Sequence, residues 1–524
     1  MARYILGVHS GHDSSACLIK DDSILYAIEK ERLTRKKHDS GDPTECIEYL
    51  LETSEILPRD ISLVVRNNWF DSNELNDDYY LKFPNVLINK NHHLFHAYAT
   101  SMLVPEGMNA LIWVVDGRGC RPQDCGFADD SSNLFEAESV YCTFNGEIKL
   151  LEKIFAKYRP KAFKWGSHID TIGYAYSAVS KTIFADSNAA GKIMALAAFG
   201  REDENVPDVL SSNDSLINEE WLHFINSLPS PLAWRTTVAK NLSFSIQNAL
   251  EVYAQKRIAR LVEKYACKNI CISGGVALNC KNNGLLANSN NVENLFIFPA
   301  SGDNGLSVGA AVWAVRTIFK DYSPLGWRYD LGKIYVPYVH SQNDIEKAVD
   351  LLISGKVVGI FENGSEFGPR ALCNRSLLTI ATISAIKVKL NRNIKQRESF
   401  RPFGGIILEK NLSRVTNEKI PSDLMLSAIH VRKNILQQYP ALPHKDNTVR
   451  MQIIKNKNSS AYKILSLYEE KTGNFLLINT SFNSKDEPIV ETPTEAEICA
   501  KKIGIDAFLF NGKLINVSKI KLKK

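Results

Sequence analysis

Asn269-Ile270-Cys271-Ile272-Ser273-Gly274-Gly275-Val276-Ala277-Leu278-Asn279 follows a long stretch of apolar residues at helical spacing, Leu242 to Tyr265. The order is helix, short buried strand, glycine turn, helix, and that alternation is α/β. A strand that ends in glycines and opens a helix presents backbone N–H groups to phosphate. Gly302 to Gly309 repeats the pattern before a helix expected over Ala310–Phe319. Each glycine turn alone is equally a tight turn with no ligand.

Working outward, Ala110-Leu111-Ile112-Trp113-Val114-Val115 is a nearly continuous apolar run, the pattern of a strand buried on both faces. Residues 4–9 and 15–30 read as strands, the second stretch folded on the turn Lys20-Asp21-Asp22-Ser23. Between them Ser10-Gly11-His12-Asp13-Ser14-Ser15 is a small polar turn able to approach a ligand closely. A boundary is expected in Asp321-Tyr322-Ser323-Pro324-Leu325-Gly326, running on as far as Pro337. Beyond it, Asp344–Ser354 reads as a helix and Lys356 to Phe361 as a strand of a second domain.

Four residues from three distant segments suggest a metal. His92 and His96 in Asn91-His92-His93-Leu94-Phe95-His96 stand at i and i+4, one face of a helix. Asp116 ends the apolar strand and Asp303 lies in a glycine-rich turn. Two imidazoles and two carboxylates suit one transition metal. The alternative is satisfied polar histidines and two aspartates that cap helices. His93 points about 100° away from His92 on a helix and is expected either to stand behind the ligands in support or to be structural.

Composition bounds the rest. The 524 residues exceed a single core, and 44% hydrophobic with 23% charged residues is ordinary for a soluble protein. A net charge of +5 does not by itself imply nucleic-acid binding. No apolar run is long enough to span a bilayer, and the opening Met1-Ala2-Arg3-Tyr4-Ile5-Leu6 reads as the start of a strand, so no signal peptide is expected. The basic end, Lys519 to Lys524, reads as a solvated terminus. The ten cysteines are scattered, with Cys120 and Cys125 only a weak zinc pattern, so reduced thiols of a cytoplasmic protein are expected. Gly191-Lys192 lacks the upstream glycine of a phosphate-binding P-loop.

The C-terminal half is dense in cations set among aromatics and prolines. Glu366-Phe367-Gly368-Pro369-Arg370-Ala371-Leu372, Lys395-Gln396-Arg397-Glu398-Ser399-Phe400-Arg401-Pro402-Phe403, Arg450 and Asn479-Thr480-Ser481-Phe482-Asn483 suggest a buried anion site. Arginine grips phosphate oxygens as a fork and lysine acts as a point charge.

With these motifs in order, the chain resembles the ATP-dependent O-carbamoyltransferases of the nodulation, cephamycin and aminoglycoside type. The resemblance also runs through Glu31-Arg32-Leu33-Thr34-Arg35-Lys36-Lys37-His38 and Gly191 to Ala197. It implies an actin/hexokinase-like, threonylcarbamoyl-transferase-like domain over 1–331 and a YrdC-like α/β domain over 332–524. The second would make carbamoyl adenylate from ATP and carbamoyl phosphate, and the first would transfer the carbamoyl group to a hydroxyl. The resemblance implies iron, Fe(2+), on His92, His96, Asp116 and Asp303, with Mg(2+) accompanying ATP. It implies Lys395, Arg401, Arg450, Asn479 and Ser481 as holders of carbamoyl phosphate or the adenylate. His12 and Lys37 would stand at the transfer site, His12 as general base with Asp13 and Asp116 as rivals. Gly274, Gly275, Asn279, Gly302 and Arg370 are further candidates for nucleotide contact. Departures cluster in the second half: Glu362-Asn363-Gly364-Ser365 and Thr379-Ile380-Ala381-Thr382 replace arginine-bearing family motifs.

The expected partner is a small hydroxylated acceptor, such as a secondary metabolite, sugar, nucleoside or hydroxymethylpyrimidine, with no membrane and a homodimer as the default. The competing readings are carbamoylation of a base within nucleic acid and a non-catalytic nucleotide-binding relative.

Overall fold

The computed structural model describes residues 2–68, 76–128, 133–211, 217–335 and 341–519. The basic tail from residue 520 onward, Met1 and Pro337 lie outside the described residues. The chain forms two compact units. The first comprises 1–24, 40–44 and 55–327, and the second 25–39, 45–54 and 328–524. Both are α/β, as the alternation of elements suggested.

The first unit carries two mixed sheets. One runs β3 (Ser23–Glu29), β2 (Ser15–Lys20), β1 (Tyr4–Ser10), β4 (Ile61–Asn68), β5 (Val86–Ile88). Residues of β3 from Leu25 onward group with the second unit. The other sheet runs β11 (Asn294–Ile297), β10 (Asn269–Ser273), β6 (Ala110–Val115), β7 (Leu134–Phe144), β8 (Glu147–Phe163), β9 (Gly166–Ile169). All six residues of β6 are buried, as its apolar run required.

The helix Leu306–Trp313 packs against β1 and against the helix His92–Ser101. Two glycines allow this approach. A Cβ on Gly7 would sit 2.0 Å from the Ser307 carbonyl oxygen, and one on Gly309 1.9 Å from that of Phe95. No other residue fits these positions without moving backbone. The close packing sets the start of the 306–313 helix, and with it Asp303, beside the two histidines.

Element ends differ from the sequence reading where local chemistry decides them. The long helix is Thr237–Tyr265, because the Thr236 hydroxyl accepts from Ala239 N–H at 3.2 Å and caps it earlier. The helix expected from Ala310 starts at Leu306, led in by a short turn over Asp303–Gly305, and widens to a π-helix over Ala314–Ile318. Among the described residues no helix is long and apolar enough to cross a membrane.

The second unit holds one eight-stranded mixed sheet. Its order is β15 (Leu424–His430), β16 (Thr448–Ile454), β14 (Gly404–Leu408), β17 (Leu477–Ser481), β13 (Arg375–Ile380), β12 (Val358–Phe361), β18 (Ala507–Phe510), β19 (Lys513–Asn516). The helices Gln342–Ile353, Ser460–Thr472 and Pro493–Ile503 close its core.

The contiguous division at 331/332 expected from sequence is therefore corrected: two N-terminal stretches fold with the second unit. The cause is a set of buried polar anchors. Arg32, 1% exposed, donates to the Gly368 carbonyl at 2.7 Å, and Glu29 accepts from Gly368 N–H at 2.6 Å. The Tyr49 hydroxyl donates to Glu491 at 2.8 Å.

Candidate functional site

The first unit brings the four expected ligands together. The Asn91 side chain accepts from Leu94 N–H at 3.4 Å and starts the 92–101 helix, so His92 and His96 stack one turn apart. Their Nε2 atoms are 3.2 Å apart. Asp116 leaves the buried end of β6, and Gly117 N–H donates to its Oδ1 at 2.6 Å. Its Oδ2 is then 3.3 Å from His92 Nε2 and 3.4 Å from His96 Nε2. Asp303 Oδ1 lies 3.6 and 3.8 Å from the same two nitrogens.

These four donors all lie within 4.8 Å of one another. Four ligands each about 2.1 Å from a shared ion, tetrahedrally placed, would be about 3.4 Å apart. The donor set fits a divalent metal, and neither aspartate caps a helix. Burial alone would drive the proton off His96. Its bonds to Asp116 and Asp303 outweigh that and push its pKa up to about 9. The carboxylates thus demand positive charge here, which a divalent ion supplies without protons.

Around this set the structure sorts the remaining candidates. Gly274 adopts φ +88°, and a Cβ there would sit 2.3 Å from the Val115 carbonyl oxygen. A Cβ on Gly275 would approach Asp116 Oδ1 to 3.1 Å, and one on Gly302 the Asn304 Oδ1 to 3.3 Å. The glycine turn therefore lies directly against the residue that ends β6. Asn279 is engaged otherwise: it caps the helix Cys280–Ala287 through Asn282 N–H at 3.0 Å and exchanges bonds with Gln247.

His12, expected as a general base, stands against Asp13. Burial lowers its pKa, but Asp13, whose Oδ2 is 3.0 Å from Nδ1, and the charge of Asp303 raise it to about 9. At neutral pH it is a cation paired with Asp13. His9 escaped sequence reading, although it is fully buried near Asp303 and His92. It bonds Asn67 at 3.0 Å and the His12 carbonyl at 3.1 Å, and burial holds it neutral with a pKa of about 4. His93 places Nδ1 2.9 Å from the Ser139 hydroxyl. Cys120 donates its thiol to Glu136 at 2.9 Å, and burial raises its pKa far above the ordinary thiol range. Glu136 also pairs with Lys153, so its charge is already met beside Cys120 and Cys125.

The second unit gathers the expected cations. Lys395 is 6% exposed and donates to the Ser481 carbonyl at 2.9 Å, the Ser481 hydroxyl at 3.3 Å, the Asn483 carbonyl at 3.0 Å and Asn483 Oδ1. Burial, with the charges of Arg397, Lys37 and Arg401, drives its pKa well below the usual lysine range. Lys37, expected at the transfer site, groups with the second unit. Strand register places Arg450 and Asn479 on either side of Gly404. Asn479 donates to the Ala371 carbonyl at 3.1 Å and to Gln452 at 3.0 Å, while its buried Oδ1 accepts no hydrogen bond among the described residues.

Arg401, 3.7 Å from Glu398, and Arg397, 4.4 Å above the Phe403 ring, are both held below their ordinary pKa by burial first and by neighbouring cations. Arg397 was not singled out from sequence. Its only signal was alternation with aromatics. Arg370 is half-buried on a loop tied down by Glu366, whose Oε1 accepts from Leu372, Asn374 and Arg375 N–H at 2.6, 2.9 and 3.1 Å. A buried lysine beside partly exposed arginines that repel one another fits an anion better than an ordinary solvated surface.

Two family profiles match this chain. The one described as carbamoyltransferase N-terminus matches residues 4–85 and 78–312, and the one described as carbamoyltransferase C-terminus matches residues 349–517. The chain belongs to the carbamoyltransferase family. Similar proteins include an uncharacterized protein of Methanocaldococcus jannaschii, 27% identical over 99% of this chain and 100% of the relative. The nodulation protein NolNO of Sinorhizobium fredii is 25% identical over 96% of this chain and 79% of its own. A 3'-hydroxymethylcephem-O-carbamoyltransferase of Amycolatopsis lactamdurans is 24% identical over 96% of this chain and 97% of its own. Among solved structures, full-length HypF overlaps 62% of this chain and 56% of its own at 14% identity and a TM-score of 0.40. The carbamoyltransferase profiles span both clusters, the four-donor set in the first and the lysine–arginine group in the second. This carbamoyltransferase is a transferase enzyme, and the two clusters are its candidate sites.

Proposed function

We propose that this enzyme makes carbamoyl adenylate from carbamoyl phosphate and ATP at the Lys395 cluster. The carbamoyl group then passes to a hydroxyl of a small acceptor at the His92–Asp303 cluster. The observation that carries this reading is the separation of chemistry by unit: a desolvated anion site in one and a four-donor metal site in the other. The second unit then acts as a YrdC-like adenylating domain and the first as an actin/hexokinase-like transfer domain.

In the second unit Arg401 and Arg450 grip phosphoryl oxygens and Lys395 supplies a nearby point charge. Asn479 and Ser481 orient the carbamoyl amide through neutral hydrogen bonds. Such fixed cations stabilise charge on oxygen as water splits carbamoyl phosphate into carbamate and inorganic phosphate, and again as a carbamate oxygen attacks the α-phosphorus of ATP and pyrophosphate departs, with Mg(2+) accompanying ATP.

In the first unit His92, His96, Asp116 and Asp303 would hold the metal, which we take to be Fe(2+). When bound, it supplies Lewis acidity toward a phosphate or carbonyl oxygen. The backbone N–H groups of the Gly274–Gly275 turn receive the adenylate phosphate. The acceptor oxygen attacks the carbamoyl carbon, the bond to AMP breaks, and the acceptor proton goes to Asp13. Protonated His12 holds that carboxylate in place and offsets the charge on the leaving phosphate.

The test is ATP–pyrophosphate exchange that depends on carbamoyl phosphate. Lys395→Met is expected to abolish exchange. His92→Ala is expected to spare exchange and block transfer. Loss of the same step in both variants would overturn the division of labour.

A further inference from the structure

A cavity of about 200 Å³ opens within the first unit, and Asp116 lines it. One residue thus belongs to both the four-donor set and the cavity wall. At the cavity β7 and β8 pair out of step: Glu136 faces Phe155 and Glu138 faces Ile154, so Ala137 is an extra residue. A bulge of this kind bends and twists its strand and re-aims the neighbouring side chains. Ala137 also accepts from Asp116 N–H at 3.5 Å, which ties the bulge to the end of β6.

The remaining wall is mostly apolar. Leu134, Ile154, Phe155, Ile172, Leu210 and Ile217 line it. Ile154 is 38% exposed, and so is Phe127 at 39%, whose ring packs edge-on against Phe155 at 5.4 Å. Apolar surface left open beside a metal site is unusual unless something apolar covers it.

Two carboxylates of the lining, Glu138 and Asp170, already face cations. Glu138 takes bonds from Trp113 Nε1 at 3.0 Å, Arg257 Nε at 3.0 Å and the Tyr253 hydroxyl. Asp170 takes Arg159 Nε at 2.8 Å and stands 3.4 Å from His168 Nε2. The Thr171 hydroxyl donates to the Gly117 carbonyl at 2.7 Å. These groups offer little to a polyamine or to a ring of hydroxyls. Such a ligand would forfeit its hydration against Leu134, Ile154 and Phe155.

Resting on the carbamoyl-transfer reading, we propose that this cavity is the acceptor site, for a hydroxyl-bearing molecule with a mainly apolar body. The apolar body lies along the β7–β8 wall, and its hydroxyl points to the Asp116 end. A hydroxymethyl group on an aromatic or aliphatic frame fits. A free sugar or an amino sugar does not. In the transfer step the hydroxyl oxygen bonds the carbamoyl carbon, AMP leaves with the bonding electrons, and the hydroxyl proton goes to the protein.

Ligand-observed saturation-transfer NMR on the full chain tests this with benzyl alcohol, 1-hexanol, glucose and glucosamine. The two apolar alcohols are expected to bind and the two sugars to give no signal. Ile154→Asp, which puts a charge on a partly exposed part of the wall, is expected to weaken alcohol binding at least tenfold. Ile154→Thr is the milder variant should the aspartate unfold the chain, with an expected loss of severalfold. Sugar binding equal to that of the alcohols, or alcohol binding unchanged in a folded variant, would overturn the proposal. Exchange of ATP with pyrophosphate in the unmodified protein judges the other reading separately. Exchange without alcohol binding sinks the cavity assignment alone, and alcohol binding without exchange supports the cavity and sinks the adenylation step.

Discussion

His93 places Nδ1 2.9 Å from the Ser139 hydroxyl, although its chain neighbour His92 stands against Asp116. Burial holds the His93 ring neutral, with its pKa lowered to about 3. Ser139→Ala leaves a buried ring nitrogen without a partner, a loss of about 1–3 kcal/mol in unfolding free energy. Urea denaturation should show that loss, and isothermal titration with Fe(2+) or Zn(2+) should show metal affinity within a few-fold of the original. A large fall in metal affinity at unchanged stability would instead make His93 part of the metal's support.

Gly274→Ala is expected to be far worse than its size suggests. The φ of +88° strains any L side chain, and the new Cβ would meet the Val115 carbonyl at 2.3 Å. We expect a cost of about 3 kcal/mol together with weaker metal binding, because the displaced strand end carries Asp116. Stoichiometric metal analysis of the folded variant checks the second half. Full metal occupancy would show that the glycine turn and the ligand move independently.

Glu362 gives the fold a pH dependence of its own. Burial raises its pKa from 4.5 to about 7, opposed in part by the bond from the Ser460 hydroxyl. The folded chain therefore retains a proton that the unfolded chain releases between those values. The stability this provides is complete below pH 4.5 and is lost as pH rises through 7. Glu362→Gln should remove that decline, worth up to about 3 kcal/mol. Denaturation midpoints at pH 4.5 and pH 8 check it. Parallel profiles for the two proteins would refute the assignment.

Anion binding at Lys395 should take up protons. Burial and the nearby Arg397, Lys37 and Arg401 depress its pKa, and a phosphate dianion beside it favours the charged form again. Calorimetric titration with inorganic phosphate in buffers of different ionisation enthalpy measures the proton count. Uptake is expected in the unmodified chain and a smaller uptake in Lys395→Met. Equal uptake in both would place the titrating group elsewhere.

The metal set was legible because its information is local: a one-turn histidine spacing, an aspartate at a strand end, another in a glycine turn. The strands and most helices followed from apolar spacing for the same reason. His9 was not legible, since its place near Asp303 depends on Gly7 admitting the 306–313 helix. The charge of His12 comes first from its neighbour Asp13, and Asp303, 291 positions away in the chain, adds to it. Ala137 was invisible because a bulge depends on which residues pair across two strands, and no single segment records that. The place of Lys37 and the buried Arg32 depend on long-range packing that charge patterning cannot reveal.

The Arg32–Gly368 bond has a genetic consequence. No single cut in the chain releases two whole folding units, because a fragment beginning at Arg328 would lack Arg32 and Tyr49. The second unit cannot be recombined into another protein as a simple C-terminal cassette. Its chemistry and that of the first unit are inherited, or lost, together.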